Sequence, residues 1–273
     1  MGNDKQNKKK TRRISVDILV TVAVLLIGAS GFFGYRFISS MNSYNAAEEH
    51  YGEIRQMFEE DPTDDEAKIL PEAETAEEKD TDPYDFDLLL AINPEAVGYI
   101  KARGEGDKLD YPLVQGTDNE FYLDHMFNGE PNSSGAIFVD AYAAEGLDGK
   151  YTIIYGHNMR SGAGMFRCLD NYRNEEYLKE HREVDVYIVK EKYLYTVFAV
   201  METTTSGFVY DPNFEDNLTG NMEEVLESSI IDCGSSIEDL QDHPHVVCLS
   251  TCMTEGYAIN RLVVFLVREK QIF

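Results

Sequence analysis

The sequence predicts a mainly-β fold, a closed barrel of eight strands carrying a few helices, on three observations. Beyond residue 96, eight short apolar runs are separated by Gly, Asn and Asp turns. Helical spacing is confined to brief interludes between them. A sheet of this many strands is relieved of exposed edges when it closes on itself. The runs are Val97–Lys101, Tyr111–Val114, Gly135–Val139, Tyr151–Tyr155, Glu183–Val189, Lys192–Met201, His245–Thr251 and Arg261–Glu269. One helical interlude is Gly164–Tyr172 with Glu175–His181, and the other is Asn221–Ser229 with Ser236–Gln241. A short helix over Asp85–Asn93 precedes the first strand and stops at Asn93-Pro94, because proline disfavours a helical residue before it.

Ahead of this unit the composition changes twice. Lys5, Lys8, Lys9, Lys10, Arg12 and Arg13 stand against the single acid Asp4, and the apolar run Ile18–Tyr35 follows. Eighteen residues at 1.5 Å each reach roughly 27 Å, close to the hydrocarbon thickness of a bilayer and longer than a secretory signal's apolar core. The basic flank stays on the cytoplasmic side. The expected organisation is a cytoplasmic tail over 1–17, a single transmembrane anchor over 18–35, an acidic extracellular stalk and linker over 36–83, and a folded domain over 84–273. A cleaved signal peptide ending near Ala29-Ser30-Gly31 is the competing reading. Between Ala46 and Asp87 seventeen acids face three basic residues. Within that stretch Tyr51, Ile54, Met57 and Phe58 recur at helical spacing, so Tyr44–Glu60 reads as a helix with a weak apolar face, and 61–83 as a flexible linker.

Across all 273 residues Lys and Arg number 24 and Asp and Glu 50, a net charge of −26. Outside the first thirteen residues no basic stripe exists to neutralise phosphates, which excludes nucleic-acid binding by counterion release. With 43% hydrophobic residues the chain is no disordered polymer. The four cysteines, 168, 233, 248 and 252, are too few for a disulfide scaffold and lack the paired spacing of a zinc site. No pair of histidines has metal-site spacing on a common helix, and no EF-hand loop is present, so no metal is predicted.

Cys252 ends the apolar run Val246–Thr251 and precedes the polar loop Thr254-Glu255-Gly256-Tyr257. A thiol there, at a barrel rim, is reachable and yet fixed by the sheet, as a nucleophile requires, although free cysteines are commonly small buried hydrophobes. Cys248, four residues back on the same strand face, reads as core. His157 stands just past the strand Tyr151–Tyr155, with Gly156 before it and a Gly-rich loop, Ser161-Gly162-Ala163-Gly164, shortly after. An imidazole at a strand end can serve a thiol, and can equally be structural. Arg261 opens the last strand where a hairpin from Thr251 to Leu262 would set it beside Cys252, offering positive charge to an oxyanion. A solvated ion pair is its plain alternative.

Read together, Thr152-Ile153-Ile154-Tyr155-Gly156-His157-Asn158-Met159, Leu249-Ser250-Thr251-Cys252 and Arg261-Leu262-Val263-Val264 resemble the signature of sortases of class B. The run Ile92-Asn93-Pro94-Glu95-Ala96-Val97-Gly98-Tyr99-Ile100 is similar to the amino-terminal region of that class, as are Asp110–Gln115 and Asp118–Leu123. The resemblance covers about 84–270. Where the family usually has Thr-Leu-x-Thr-Cys, this chain has Cys248 at the first position, and Met253 follows the nucleophile where a class B relative can carry an acid.

The resemblance implies an eight-stranded sortase barrel with a helix, here Asn221–Ser229, in the connection before the seventh strand. It implies a cysteine transpeptidase of a Gram-positive cell envelope, with Cys252, His157 and Arg261 catalytic. By motif position Asn119, Leu123, Tyr155 and Ser250 fall on the substrate groove, and Thr203–Tyr210 on another wall. The implied partners are the sorting-signal peptide of a surface protein, of Asn-Pro-x-Thr type, and a cell-wall peptide amine. No metal or organic cofactor enters the implied reaction. Alternatives are a pilin polymerase with a lysine acceptor, a noncatalytic membrane-tethered binding module, and a cysteine peptidase that only hydrolyses.

Overall fold

The computed structural model describes residues 2–59, 86–104, 108–159, 164–189, 191–253 and 259–272, with backbone alone for 2–17 and 59. The expected linker 61–83 and the loops 161–163 and 254–257 lie outside them. Two compact units divide the chain, Met1–Asn45 and Ala46–Phe273. Helix α1 (Gly2–Glu59) begins in the first and ends in the second. Its stretch Ile18–Phe58 is long and apolar enough, by length and composition, to cross a membrane.

The second unit is built on eight strands: β1 (Ala96–Ala102), β2 (Asp110–Val114), β3 (Ile137–Val139), β4 (Tyr151–Tyr155), β5 (Glu183–Ile188), β6 (Glu191–Thr204), β7 (Val246–Cys252) and β8 (Asn260–Gln271). They close into a barrel in the order β1-β2-β3-β4-β7-β8-β6-β5. Each predicted strand is present. Neighbours are antiparallel except β2 with β3 and β4 with β7, which run parallel and therefore need long connections between them.

Strands β7 and β8 are buried on both faces, which is why they read as unbroken apolar runs and not as alternation. Val247, Leu249, Leu262, Val264 and Leu266 face one apolar cluster. The alternate residues Val246, Cys248, Val263, Phe265 and Val267 face a second, with Phe214, Met222, Val225 and Leu240 from the connection between β6 and β7. That connection carries α4 (Leu218–Glu227), the helix expected before the seventh strand, and α5 (Ile237–Leu240), whose Ser236 and Asp239 form a capping box. α2 (Phe86–Ile92) buries Phe86 and Leu89, and α3 (Glu175–Glu180) is capped by the Asn174 side chain on the Glu176 and Tyr177 amides. The predicted helix over Gly164–Tyr172 takes the tighter 3₁₀ form, Phe166–Arg173.

The end of α1 differs from the expected stalk. Ala47, Tyr51, Ile54 and Phe58, spaced at four, three and four residues, are buried in the main core, while Met57 stays exposed. Phe58 stacks on Tyr99 of β1 at 3.9 Å between centroids, and Arg55 donates to the Asp110 carbonyl at 3.0 Å. The compact unit therefore starts at Ala46, upstream of the boundary read at 84 from the acidic composition. One buried helical stripe outweighs the charge on the opposite face, because the carboxylates remain in water.

Candidate active site

Three strand ends meet at one place. The parallel register of β4 and β7 sets Tyr155 opposite Ser250. The Gly156 amide on the Ser250 carbonyl (3.2 Å) and the Thr251 hydroxyl on the Gly156 carbonyl (2.7 Å) carry the pairing beyond the strand. His157 and Cys252 stand two residues past that pair, so the two ends finish level. Across the other edge of β7 the antiparallel register pairs Thr251 with Leu262 and Cys252 with Arg261, the juxtaposition expected of the hairpin. Side chains alternate along a strand, so Tyr155, Ser250, Cys252 and Arg261 share the face that holds the second apolar cluster. The site opens where the cover over that face stops.

A cleft of about 350 Å³ forms there, within the range of small-ligand sites. Its lining includes Cys252, His157, Arg261, Asn119, Leu123, Tyr155 and Ser250, all seven residues singled out from sequence. Phe138, Gly156, Thr205, Tyr210 and Thr251 complete it. Thr205 and Tyr210 belong to the stretch expected as a wall. Phe138, on β3 and 2% exposed, carries no chemical signal in the sequence, and Thr251 enters there only within the motif Leu249-Ser250-Thr251-Cys252. At Gly156 a Cβ would come within 2.5 Å of Ile137 Cδ1 and 2.7 Å of Phe166 Cγ, so the floor of the cleft has no room for a side chain.

The polar groups are committed in a definite way. His157 Nε2 lies 2.7 Å from the Leu123 carbonyl. A carbonyl oxygen only accepts, so Nε2 carries the proton and Nδ1 is the nitrogen left to act as base in the neutral ring. Asn119 Oδ1 accepts the Ala141 amide at 2.8 Å, which leaves its NH₂ as the group it can offer a ligand. The Tyr155 hydroxyl donates to Asp140 Oδ2 at 2.8 Å, and the Tyr210 and Ser250 hydroxyls are 2.7 Å apart. The Asn260 carbonyl accepts both the Met253 amide (3.2 Å) and Arg261 (3.0 Å), so two donors converge on one oxygen beside Cys252.

Electrostatics separate the thiols. Burial pushes Cys248 up to about 12 and Cys233 up to about 11, holding both as inert thiols. Cys248, fully buried, is core as expected. Cys252 alone of the four cysteines is partly exposed. Burial also raises the phenols of Tyr155, reinforced by Asp140, and of Tyr210, so both remain neutral donors beside the cleft.

No family model matches the chain. It is 31% identical over 179 residues to sortase B of Listeria monocytogenes, a match spanning 64% of this chain and 70% of that protein. Against sortase B of Staphylococcus aureus the identity is 26% over 238 residues, spanning 86% and 89%. Among solved structures, Clostridium perfringens sortase B superposes with a TM-score of 0.60 at 28% identity, over 68% of this chain and all of that one. A Staphylococcus aureus sortase B–substrate complex gives 0.65 at 25% identity, over 83% and 97%.

Proposed function

The chain belongs to the sortase B family and is a sortase cysteine transpeptidase, and from that premise we propose that Cys252, His157 and Arg261 carry the reaction on an Asn-Pro-x-Thr sorting signal. The observation that supports this most directly is their convergence from three strand ends into one cleft. Cys252 gives its thiol proton to His157 Nδ1 as its Sγ attacks the carbonyl carbon after Thr. The C–N bond breaks as His157 gives a proton to the leaving amine, and a thioester remains. A cell-wall peptide amine then attacks the thioester and passes its proton to His157, and as the C–S bond breaks that proton returns to Sγ, leaving the new amide and the free thiol. The two donors gathered at the Asn260 carbonyl, Arg261 and the Met253 amide, are the groups an oxyanion would draw on. Asn119, Leu123, Tyr155 and Ser250 line the groove for the signal, Ser250 acting through Tyr210, to which its hydroxyl is bonded. The apolar part of α1 anchors the enzyme as a single span, with the catalytic unit outside the cell, which places the thiol where surface proteins and cell-wall amines meet.

The test uses the full-length chain in detergent micelles with internally quenched Asn-Pro-x-Thr peptides, an amine acceptor and Cys252→Ala as control. The expected result is cleavage after Thr by the parent only, with an acceptor-linked product and a trappable Cys252 thioester. Absence of both thioester and turnover across the peptide panel overturns the assignment.

A further inference from the structure

His157 is the one group of the three not placed by a ladder. It stands between two loops, bonded through Nε2 to Leu123 on one side and followed by the stretch that returns at Met165 on the other. There the Phe166 amide donates to the His157 carbonyl at 2.9 Å and Asn158 bridges to Met165. Met165 has φ of 56°, a conformation that costs a non-glycine residue energy and persists only where neighbours hold it.

What holds these loops comes from the far end of α1. Tyr51, 2% exposed, donates from its hydroxyl to the Gly135 carbonyl at 2.8 Å and accepts the Phe127 amide at 3.2 Å. Both partners lie in the segment that contains Leu123. The Ala136 amide, next to Gly135, bonds in turn to the Tyr122 carbonyl at 2.9 Å, one residue from Leu123. The backbone there is close-packed: Gly135 has φ of +63°, and a Cβ on it would meet the Tyr122 carbonyl oxygen at 2.5 Å. The edge of the Tyr51 ring meets Tyr111 of β2, 5.4 Å between centroids at 77°. The Tyr111 hydroxyl accepts the Met165 amide at 2.8 Å. One aromatic pair thus ends in two hydroxyls, each bonded to one of the two segments that flank His157.

We infer that Tyr51 and Tyr111 are positioning residues for His157, a brace through which the docked end of α1 sets the orientation and tautomer of the imidazole. The inference rests on reading His157 as the acid and base of the transfer. Neither tyrosine lines the cleft, so neither touches substrate. Their work is to keep the Leu123 carbonyl under Nε2 and the Met165 turn under the His157 backbone. A misplacement of about 1 Å at a reacting group costs up to about a hundredfold in rate, so a distant hydroxyl can matter.

The test compares full-length wild type, Tyr51→Phe, Tyr111→Phe, the double variant and His157→Ala in micelles. It combines steady-state kinetics on the sorting peptide with nitrogen-15 spectra of labelled histidine. Each Phe variant keeps its ring and loses one bonded hydroxyl. The expected result is a fall in kcat of about tenfold with KM within about twofold. The His157 signal should pass from a single Nε2–H tautomer to a mixture, and the double variant should lose less than the product of the singles. A purely structural role would lower the melting temperature and leave the tautomer signal as it is. Both single variants retaining kcat within twofold and an unchanged signal overturn the brace. His157→Ala retaining wild-type kcat overturns the acid–base reading instead, and the spectra, which need no turnover, still judge the brace.

Discussion

Cys252 and Arg261 face each other because β7 and β8 pair in antiparallel register, whereas His157 stands beyond the end of β4 and is held by loops. The first arrangement is self-contained: one hairpin, β7 (Val246–Cys252) with β8 (Asn260–Gln271), supplies both groups, and the central residues of both strands are buried on either face. The second draws on a carbonyl 34 residues upstream in the chain and, behind it, on a tyrosine 84 residues from the glycine it holds. Ladder hydrogen bonds carry the register of β7 and β8 as far as the Cys252–Arg261 pair. The histidine end is as rigid as its tethers. Chemistry at the thiol is therefore insulated from distant change, and chemistry at the imidazole is exposed to it.

The largest effect should come from the insulated side. Cys252→Ala is expected to remove thioester formation and lower cleavage by about four orders of magnitude or more, measured by quenched-peptide turnover. Alkylation followed by peptide mass spectrometry sharpens the point: Cys252 should be modified, while Cys168, Cys233 and Cys248, all buried, remain unlabelled in the folded protein. Arg261→Ala comes next, with a loss of about a hundredfold in kcat and little change in fold, since its strand pairing is carried by backbone. If Arg261→Ala instead unfolds the barrel end, the insulation described above is wrong.

Gly156→Ala attacks the other side. Its Cβ collides with Ile137 and Phe166, so it should destabilise the protein by about 1–3 kcal/mol in urea unfolding. It should also lower kcat about tenfold by moving the neighbouring His157. Tyr210→Phe should cost only a few-fold in activity, as one neutral hydrogen bond to Ser250 is worth about 1 kcal/mol.

The smallest effect concerns the docked helix end. Burial holds the His50 imidazole below its ordinary value of 6.5, against the opposing pull of Glu53 and Glu130. Its Nε2 is buried without a hydrogen-bond partner among the described residues. Folding therefore favours the neutral ring, and the stability this gives is complete above pH 6.5 and lost as pH falls below it. The melting temperature should drop as pH is lowered from about 7 to 5.5, and by less in His50→Gln. An equal pH dependence in the variant would remove His50 from the account.

How far the sequence could be read follows the same division. The eight strands were legible because each is a short apolar run bounded by turn residues, and Cys252 with Arg261 because they sit on the two arms of one hairpin. The residues of the cleft were legible mainly through their motifs, since Asn119, Leu123 and Ser250 carry no chemical signal when read singly. Tyr51 showed as one position of a helical stripe, yet nothing local says what that stripe packs on. The acid-rich surroundings pointed to a stalk, and burial of Ala47, Tyr51, Ile54 and Phe58 placed it in the core.

From sequence alone follow the strand count and the apolar span near the amino terminus, because periodicity and run length are local properties, while Cys252, His157 and Arg261 stand out as candidates through the motifs that hold them. Tertiary structure alone decided that β4 lies parallel to β7, bringing His157 level with Cys252, and that α1 reaches the loop beneath that histidine. Those are pairings between segments some 80 to 100 residues apart, chosen by barrel closure and the burial of an aromatic stripe, and no local pattern carries the address of so distant a partner.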